Sequence, residues 1–255
     1  MTQFRPCIDI HEGKVKQIVG STLHSSPVTN FVAELPPAYY ANLFRISGLE
    51  GAHVIMLDNN SKEAAMEALE TYLGGLQVGG GINIDNAEEF LDGGAEKVIV
   101  TSYIFPNGSL DTGRLVELGK RIGKDRIVVD LSCIRVSDGD QVRWKVVRDR
   151  WKNLTDFELT SWNLSQLADM CSEFLVHSVT FEGKRRGIDE ELIRLLAYCT
   201  DIPVTYAGGA SSISDLYRVK ELSGGTVDLT IGSGLDIFGG DIKFDDCVKF
   251  NRENE

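Results

Sequence analysis

The sequence holds no apolar run approaching the roughly 20 residues that a membrane-spanning helix needs, so no such helix is expected. Positive charge is scarce: 26 Lys and Arg stand against 38 Asp and Glu, a formal net charge of −12 at pH 7. That balance argues against nucleic acid or an anionic membrane as a partner. A phosphorylated small molecule stays compatible with it, because backbone N–H groups hold phosphate locally whatever the overall charge. The five cysteines (Cys7, Cys133, Cys171, Cys199, Cys247) are scattered and odd in number. This excludes a disulfide frame or a zinc site and fits reduced thiols in a cytoplasmic compartment. The four histidines (His11, His24, His53, His177) form no ligand-spaced pair, so no metal is expected. No basic-then-apolar leader precedes the first apolar residues at Phe4. The Asn-X-Ser/Thr triplets at Asn59, Asn107, Asn153 and Asn163 are accordingly read as chance matches.

What is present is a regular alternation. A chain of 255 residues with 42% hydrophobic content fits one (β/α)8 barrel, a fold of about 250 residues, and no linker-like stretch divides it. Strands are expected over 4–10, 54–57, 76–78, 98–100, 126–130, 177–181, 204–207 and 227–231. Helical spacing covers 36–49, 64–73, 85–91, 110–122, 164–174, 189–198, 214–222 and 245–251. Residues 14–20 alternate as a hairpin extension after the first strand, and 21–29 read as a mobile polar loop. Residues 131–151 alternate again and turn at Asp138-Gly139.

The run Leu76-Gln-Val-Gly-Gly-Gly-Ile82 stops an apolar stretch in three glycines just before helical spacing resumes. Adjacent glycines let the backbone turn sharply and bring bare N–H groups to a ligand, and at a helix start such a turn holds phosphate. Alone, it is equally a tight strand-to-helix connection. The same grammar recurs in Val204-Thr-Tyr-Ala-Gly-Gly-Ala-Ser-Ser212. Val98-Ile-Val-Thr-Ser102 recurs as Leu229-Thr-Ile-Gly-Ser233, and Cys7-Ile-Asp9 as Val128-Val-Asp130. Three landmarks repeated in order, each about half a chain apart, indicate an internal duplication. The expected fold is therefore an α/β (β/α)8 TIM barrel built from two half-barrels, approximately 1–124 and 125–255.

In such barrels the chemistry lies on loops beyond the C-terminal ends of the strands. Asp9 and Asp130 end the first and fifth strands, which lie opposite each other, so their carboxylates face across the mouth and suit paired acid–base work. A strand-end aspartate capping a turn is the plain alternative; matched placement in both halves favours catalysis. Gly80 and Gly81 with Thr101 and Ser102 follow the third and fourth strands, and Gly208 and Gly209 with Gly232 and Ser233 follow the seventh and eighth. These loops make two phosphate cradles on opposite sides of the mouth. The implied partner is a small-molecule bisphosphate, with reactive carbons between its ends.

The run Arg5-Pro-Cys-Ile-Asp-Ile-His-Glu-Gly-Lys-Val15 continues to Gln17-Ile-Val-Gly20. With Gln77-Val-Gly-Gly-Gly-Ile82, Val129-Asp130-Leu131, Ala207-Gly-Gly-Ala-Ser211 and Ile231-Gly-Ser-Gly-Leu235, it resembles the phosphoribosylformimino-aminoimidazole-carboxamide ribotide (ProFAR) isomerases of histidine biosynthesis. The segment 147–156 and the loop 176–187 look like the eukaryotic form. The resemblance implies a duplicated half-barrel enzyme that performs an Amadori rearrangement of an aminoaldose to an aminoketose, with no cofactor and no metal. By position, Asp9 is then the base that takes the proton from ribose C2, and Asp130 the acid that protonates the ring oxygen. Trp151 stacks on the imidazole, although a lone Trp after a hairpin is otherwise a packing residue. An acid-assisting threonine at the end of the sixth strand falls on Thr180, with Ser178 and Val179 competing for the slot. Related bacterial chains carry arginine after the glycine turn where Asn83 stands here, so Arg150, Lys184, Arg185 and Arg186 become candidate phosphate cations. A monomer is expected. The rival readings are the cyclase subunit of imidazole glycerol phosphate synthase, a phosphoribosylanthranilate isomerase using Cys7 as base, and a catalytically silent sugar-phosphate-binding barrel.

Overall fold

The computed structural model describes residues 1–18, 29–139, 141–149, 151–181 and 187–254. In chain order its strands are β1 (Phe4–His11), β2 (Lys14–Ile18), β3 (Thr29–Val32), β4 (Ala52–Met56), β5 (Leu76–Gly79), β6 (Lys97–Val100) and β7 (Ile127–Asp130). They continue with β8 (Cys133–Asp138), β9 (Gln141–Arg148), β10 (Asn153–Glu158), β11 (Glu173–His177), β12 (Val204–Ala207) and β13 (Val227–Ile231). The helices are α1 (Pro37–Ile46), α2 (Lys62–Thr71), α3 (Ala87–Asp92), α4 (Thr112–Ile122), α5 (Ser161–Ala168), α6 (Glu190–Cys199), α7 (Ser214–Ser223) and α8 (Phe244–Glu253).

Eight of these strands, β1, β4, β5, β6, β7, β11, β12 and β13, run parallel, and β13 pairs back onto β1 through Phe4 and Leu229. The ring is a closed (β/α)8 barrel. Side chains alternate inward and outward along each strand. Phe4, Ile8, Val78, Val98, Val129, Phe174 and Tyr206 turn outward into the apolar layer beneath the helices. Ile55, Ile99, Val128, Leu175 and Ala207 turn inward as a smaller apolar plug.

Below that plug lies a polar floor. Glu173 accepts from Gln77 Nε2 at 2.8 Å, Lys97 Nζ at 3.0 Å and Thr205 Oγ1 at 3.2 Å, and pairs with Arg5 Nη1 at 3.2 Å. Arg5 Nε also holds Asp228 Oδ2 at 2.8 Å. Burial pushes the Glu173 carboxyl up, but Arg5, Lys97 and Gln77 outweigh it and hold the group below the usual glutamate range.

Two antiparallel inserts ride on the barrel: β2 and β3 beside β1, and the three-stranded sheet β10-β9-β8 that follows β7. The alternation expected over 131–151 is the β8–β9 pair, but β10 is an addition to it. The helix and strand expected over 164–174 and 177–181 are corrected: α5 ends at Ala168, and β11 is Glu173–His177. The strand's start is disguised because Glu173, a charge, is 1% exposed inside the floor network, and Phe174 continues the helical spacing in the sequence. α3 begins at Ala87, because Asn83 and Asn86 first close a local turn: Asp85 N donates to Asn83 Oδ1, and Asn83 N to Asn86 Oδ1. Most of the loop expected over 21–29, and the candidate cations Arg150, Lys184, Arg185 and Arg186, lie outside the described residues.

Candidate active site

A cavity of about 390 Å³ opens at the C-terminal end of the barrel. Asp9 and Asp130 both line it, from strands half a ring apart. Asp130 is held by two hydroxyls. Its Oδ2 accepts from Thr101 Oγ1 at 3.0 Å, and its two oxygens take the Ser132 hydroxyl at 3.0 and 3.2 Å. Burial pushes its carboxyl up, against the opposing effects of His177 and these two hydroxyls. A carboxyl that resists ionisation is suited to donating a proton. Asp9 Oδ1 accepts from Cys7 Sγ at 3.3 Å, a contact that follows from their shared inward face on β1.

The glycine turns flank this pair. Gly80 and Gly81 line the large cavity with Thr101 and Ser102. Gly80 has φ 98°, and a Cβ there would overlap the Met56 carbonyl oxygen, so only glycine lets the turn approach β4 this closely. Gly208, Gly209, Gly232 and Ser233 line a second, smaller pocket of about 40 Å³. There a Cβ on Gly209 would overlap the Gly187 carbonyl. Cys7, Asp9, His177 and Thr230 are walls of both spaces.

Trp151 follows β9 with a left-handed φ of 65°, as does Asp149 with φ 55°. Non-glycine residues seldom adopt this conformation, and for a side chain as bulky as tryptophan it persists only where the surrounding structure holds it. The indole lines the large cavity with its ring centroid 5.8 Å from that of His177. The β9 end is tied to the glycine side through Asp149 N, which donates to Ser102 Oγ at 3.2 Å.

The model of the family described as "Histidine biosynthesis protein" matches residues 3–242. A Neurospora crassa protein is 51% identical over 258 residues, covering 99% of both chains. A Saccharomyces cerevisiae protein is 49% identical, also covering 99% of both. A Medicago truncatula protein named as chloroplastic is 50% identical over 99% of this chain and 83% of its own length. All three are named 1-(5-phosphoribosyl)-5-((5-phosphoribosylamino)methylideneamino) imidazole-4-carboxamide isomerase. The chain belongs to the histidine biosynthesis protein family.

In this family member the structure gathers Asp9, Asp130, Gly80, Gly81, Thr101, Ser102 and Trp151 around one cavity, and Gly208, Gly209, Gly232 and Ser233 around the adjoining pocket. Thr101, expected as a phosphate contact, directs its hydroxyl to Asp130. Thr180 stands apart: it lies on an exposed turn past the end of β11 and is not a wall of either space. The strand end belongs instead to His177, an inward residue missed because the sixth strand was expected four positions too late. Ser178 is buried, with its backbone N–H on the Ala207 carbonyl at 2.8 Å. Asn83 serves its own turn, its Nδ2 reaching the Gly81 carbonyl at 3.4 Å. Ser132, Arg148 and Gln17 were also missed. Arg148 places a cation on the wall of the large cavity and pairs with Asp149 at 2.6 Å. Among the described residues no group of three His, Cys, Asp or Glu side chains is arranged to hold a metal ion.

Proposed function

We propose that this chain performs the isomerisation for which its relatives are named, an intramolecular Amadori rearrangement of a doubly phosphorylated aminoaldose to the aminoketose in histidine biosynthesis. The observation that carries the reading is a pair of carboxylates from opposite strands on one cavity, with a glycine turn to either side. The relatives' name contains two phosphoribosyl groups, the ligand such a doubly cradled site fits.

In the proposed sequence Asp130 protonates the furanose ring oxygen, and the ring opens as the C1–O bond breaks and the nitrogen lone pair forms an iminium. Asp9 then removes the proton from C2. The resulting enol returns to the ketone as C1 takes up a proton. Protons and electrons balance within one molecule, so the reaction calls on no redox cofactor. Thr101 and Ser132 orient the acid, Cys7 holds the base, and Trp151 covers the heterocycle.

We also read residues 1–124 and 125–255 as two half-barrels acting together in one monomeric site. Each half inserts antiparallel strands after its first barrel strand, β2 and β3 in one and β8, β9 and β10 in the other. The deciding assay supplies the aminoaldose ribotide alone and follows the aminoketose. Conversion without ammonia or a glutaminase is expected. A requirement for ammonia would indicate a cyclase, and no conversion would indicate a silent sugar-phosphate-binding barrel.

A further inference from the structure

Gln17 is placed on β2, the first strand of the insert beside β1, and the residue is 2% exposed. The amide lies against the Gly232 backbone: a Cβ on Gly232 would be 3.4 Å from Gln17 Oε1. Its Nε2, a group with two N–H donors, has no hydrogen-bond partner although it is buried. Buried polar groups are almost always paired, because leaving one unmade costs its full desolvation. This one borders the 40 Å³ pocket with Gly209, Gly232 and Ser233, a space for about three waters, close to the size of a phosphate group.

The pocket's other walls sharpen the point. Among its described lining residues there is no Lys or Arg, and Asp9 is one of the walls. Among the described walls, a phosphate there would lie near the Asp9 carboxylate and the His177 ring, with backbone N–H groups, the Ser233 hydroxyl and the Gln17 amide as the neutral donors. The large cavity differs, since Arg148 is among its walls.

Resting on the isomerase reading above, we propose that Gln17 is a substrate ligand whose side-chain amide donates to the phosphate held by the Gly208–Gly209 and Gly232–Ser233 turns. The two phosphate ends of the substrate then meet different surroundings, since Arg148 is a wall of the large cavity and Gln17 a wall of the small pocket. That difference breaks the twofold likeness of the cup and makes one direction of binding the better one, so base and acid meet the correct ribose.

The test uses Gln17→Leu, which keeps the approximate volume and removes the donors, and Gln17→Glu, which adds a negative charge. For Gln17→Leu, KM for the aminoaldose ribotide is expected to rise about tenfold to hundredfold, the worth of one hydrogen bond to a charged group, while kcat changes far less. Its Tm without ligand should equal or exceed that of the unaltered protein, because the unpaired amide is gone. Gln17→Glu should raise KM further still. Inorganic phosphate, titrated calorimetrically, should bind the Leu variant more weakly. Unchanged KM and phosphate affinity in a folded Gln17→Leu protein would overturn the assignment, as would a lowered Tm with kcat and KM affected together, the mark of a packing role. If the unaltered protein fails to isomerise the ribotide, the isomerase reading falls, and the phosphate titration still decides Gln17.

Discussion

The floor and the mouth of the barrel both bury polar side chains, but they treat them in opposite ways. In the floor every charge has a partner: Glu173 is met from four other strands, and Arg5 is shared between Glu173 and Asp228. At the mouth Asp9 and Asp130 are also held, but some polar atoms at the cavity walls are not. Of the four buried unpartnered polar atoms among the described residues, Gln17 Nε2 and Arg148 Nε belong to the mouth, Gln77 Oε1 belongs to the floor, and His53 Nε2 is on a residue in register with Gln77 that also borders the large cavity. The left-handed backbone at Asp149 and Trp151 is also at the mouth. A paired buried charge contributes to one arrangement of the strands, whereas an unpaired donor facing a cavity is set for something that arrives later. Stability residues at the bottom face and reactive ones at the top are the division expected of this fold.

The comparison breaks most visibly if mouth residues prove structural. Asp9→Asn and Asp130→Asn should each lower kcat by about 10²- to 10⁴-fold or more, with substrate affinity within about tenfold and Tm unchanged or raised. Steady-state kinetics beside thermal unfolding reads both; a variant with near-normal kcat leaves the mechanism. The floor should behave in reverse. Glu173→Ala takes the close carboxylate from Lys97 and leaves Arg5 with Asp228 alone, and should cost about 3–5 kcal/mol of stability, with turnover per folded molecule retained. Urea unfolding measures the first quantity, and a loss of turnover without a loss of stability would dissolve the division.

Smaller effects sharpen it. Trp151→Ala should raise KM by about tenfold or more through lost stacking on the heterocycle, while leaving Tm nearly unchanged; a falling Tm at constant KM would make the indole a packing residue. Thr101→Val removes a hydrogen bond that favours the ionised form of Asp130. Its pKa, already raised by burial, should rise further. Because the acid must be protonated to work, the alkaline limb of the kcat–pH profile should move to higher pH. A limb that stays put or moves down would take the acid role from Asp130.

His53 sets a pH limit on the whole barrel. Burial, with Arg5 adding to it, lowers the imidazole to about 3. Its unfolded value near 6.5 is higher, so the unfolded chain binds the extra proton first. Stability contributed by this group is present above about pH 6.5 and is lost as pH falls toward 3.

Much of this was readable from residue order. Period-two and helical spacing located the barrel strands and helices, and the strand-end positions of Asp9 and Asp130 placed the two carboxylates on opposite sides of the ring. Such patterns are local, and alternation along a strand states which face a residue shares: Cys7 and Asp9 point the same way for that reason. The identity of the sixth strand's functional end was hidden, because Glu173 reads as a surface charge until Arg5, Lys97, Gln77 and Thr205 arrive from distant parts of the chain. Moving that strand to Glu173–His177 exchanges an exposed Thr180 for an inward His177. Likewise nothing near Gln17 in the chain marks it as a ligand. Its amide gains meaning from Gly232 and Ser233, which reach it only when β13 closes the ring onto β1. Spacing along the chain sets which way a side chain points, because it depends on backbone geometry a few residues long. Pairing, burial and the lack of a partner depend on long-range closure, which only the folded barrel supplies.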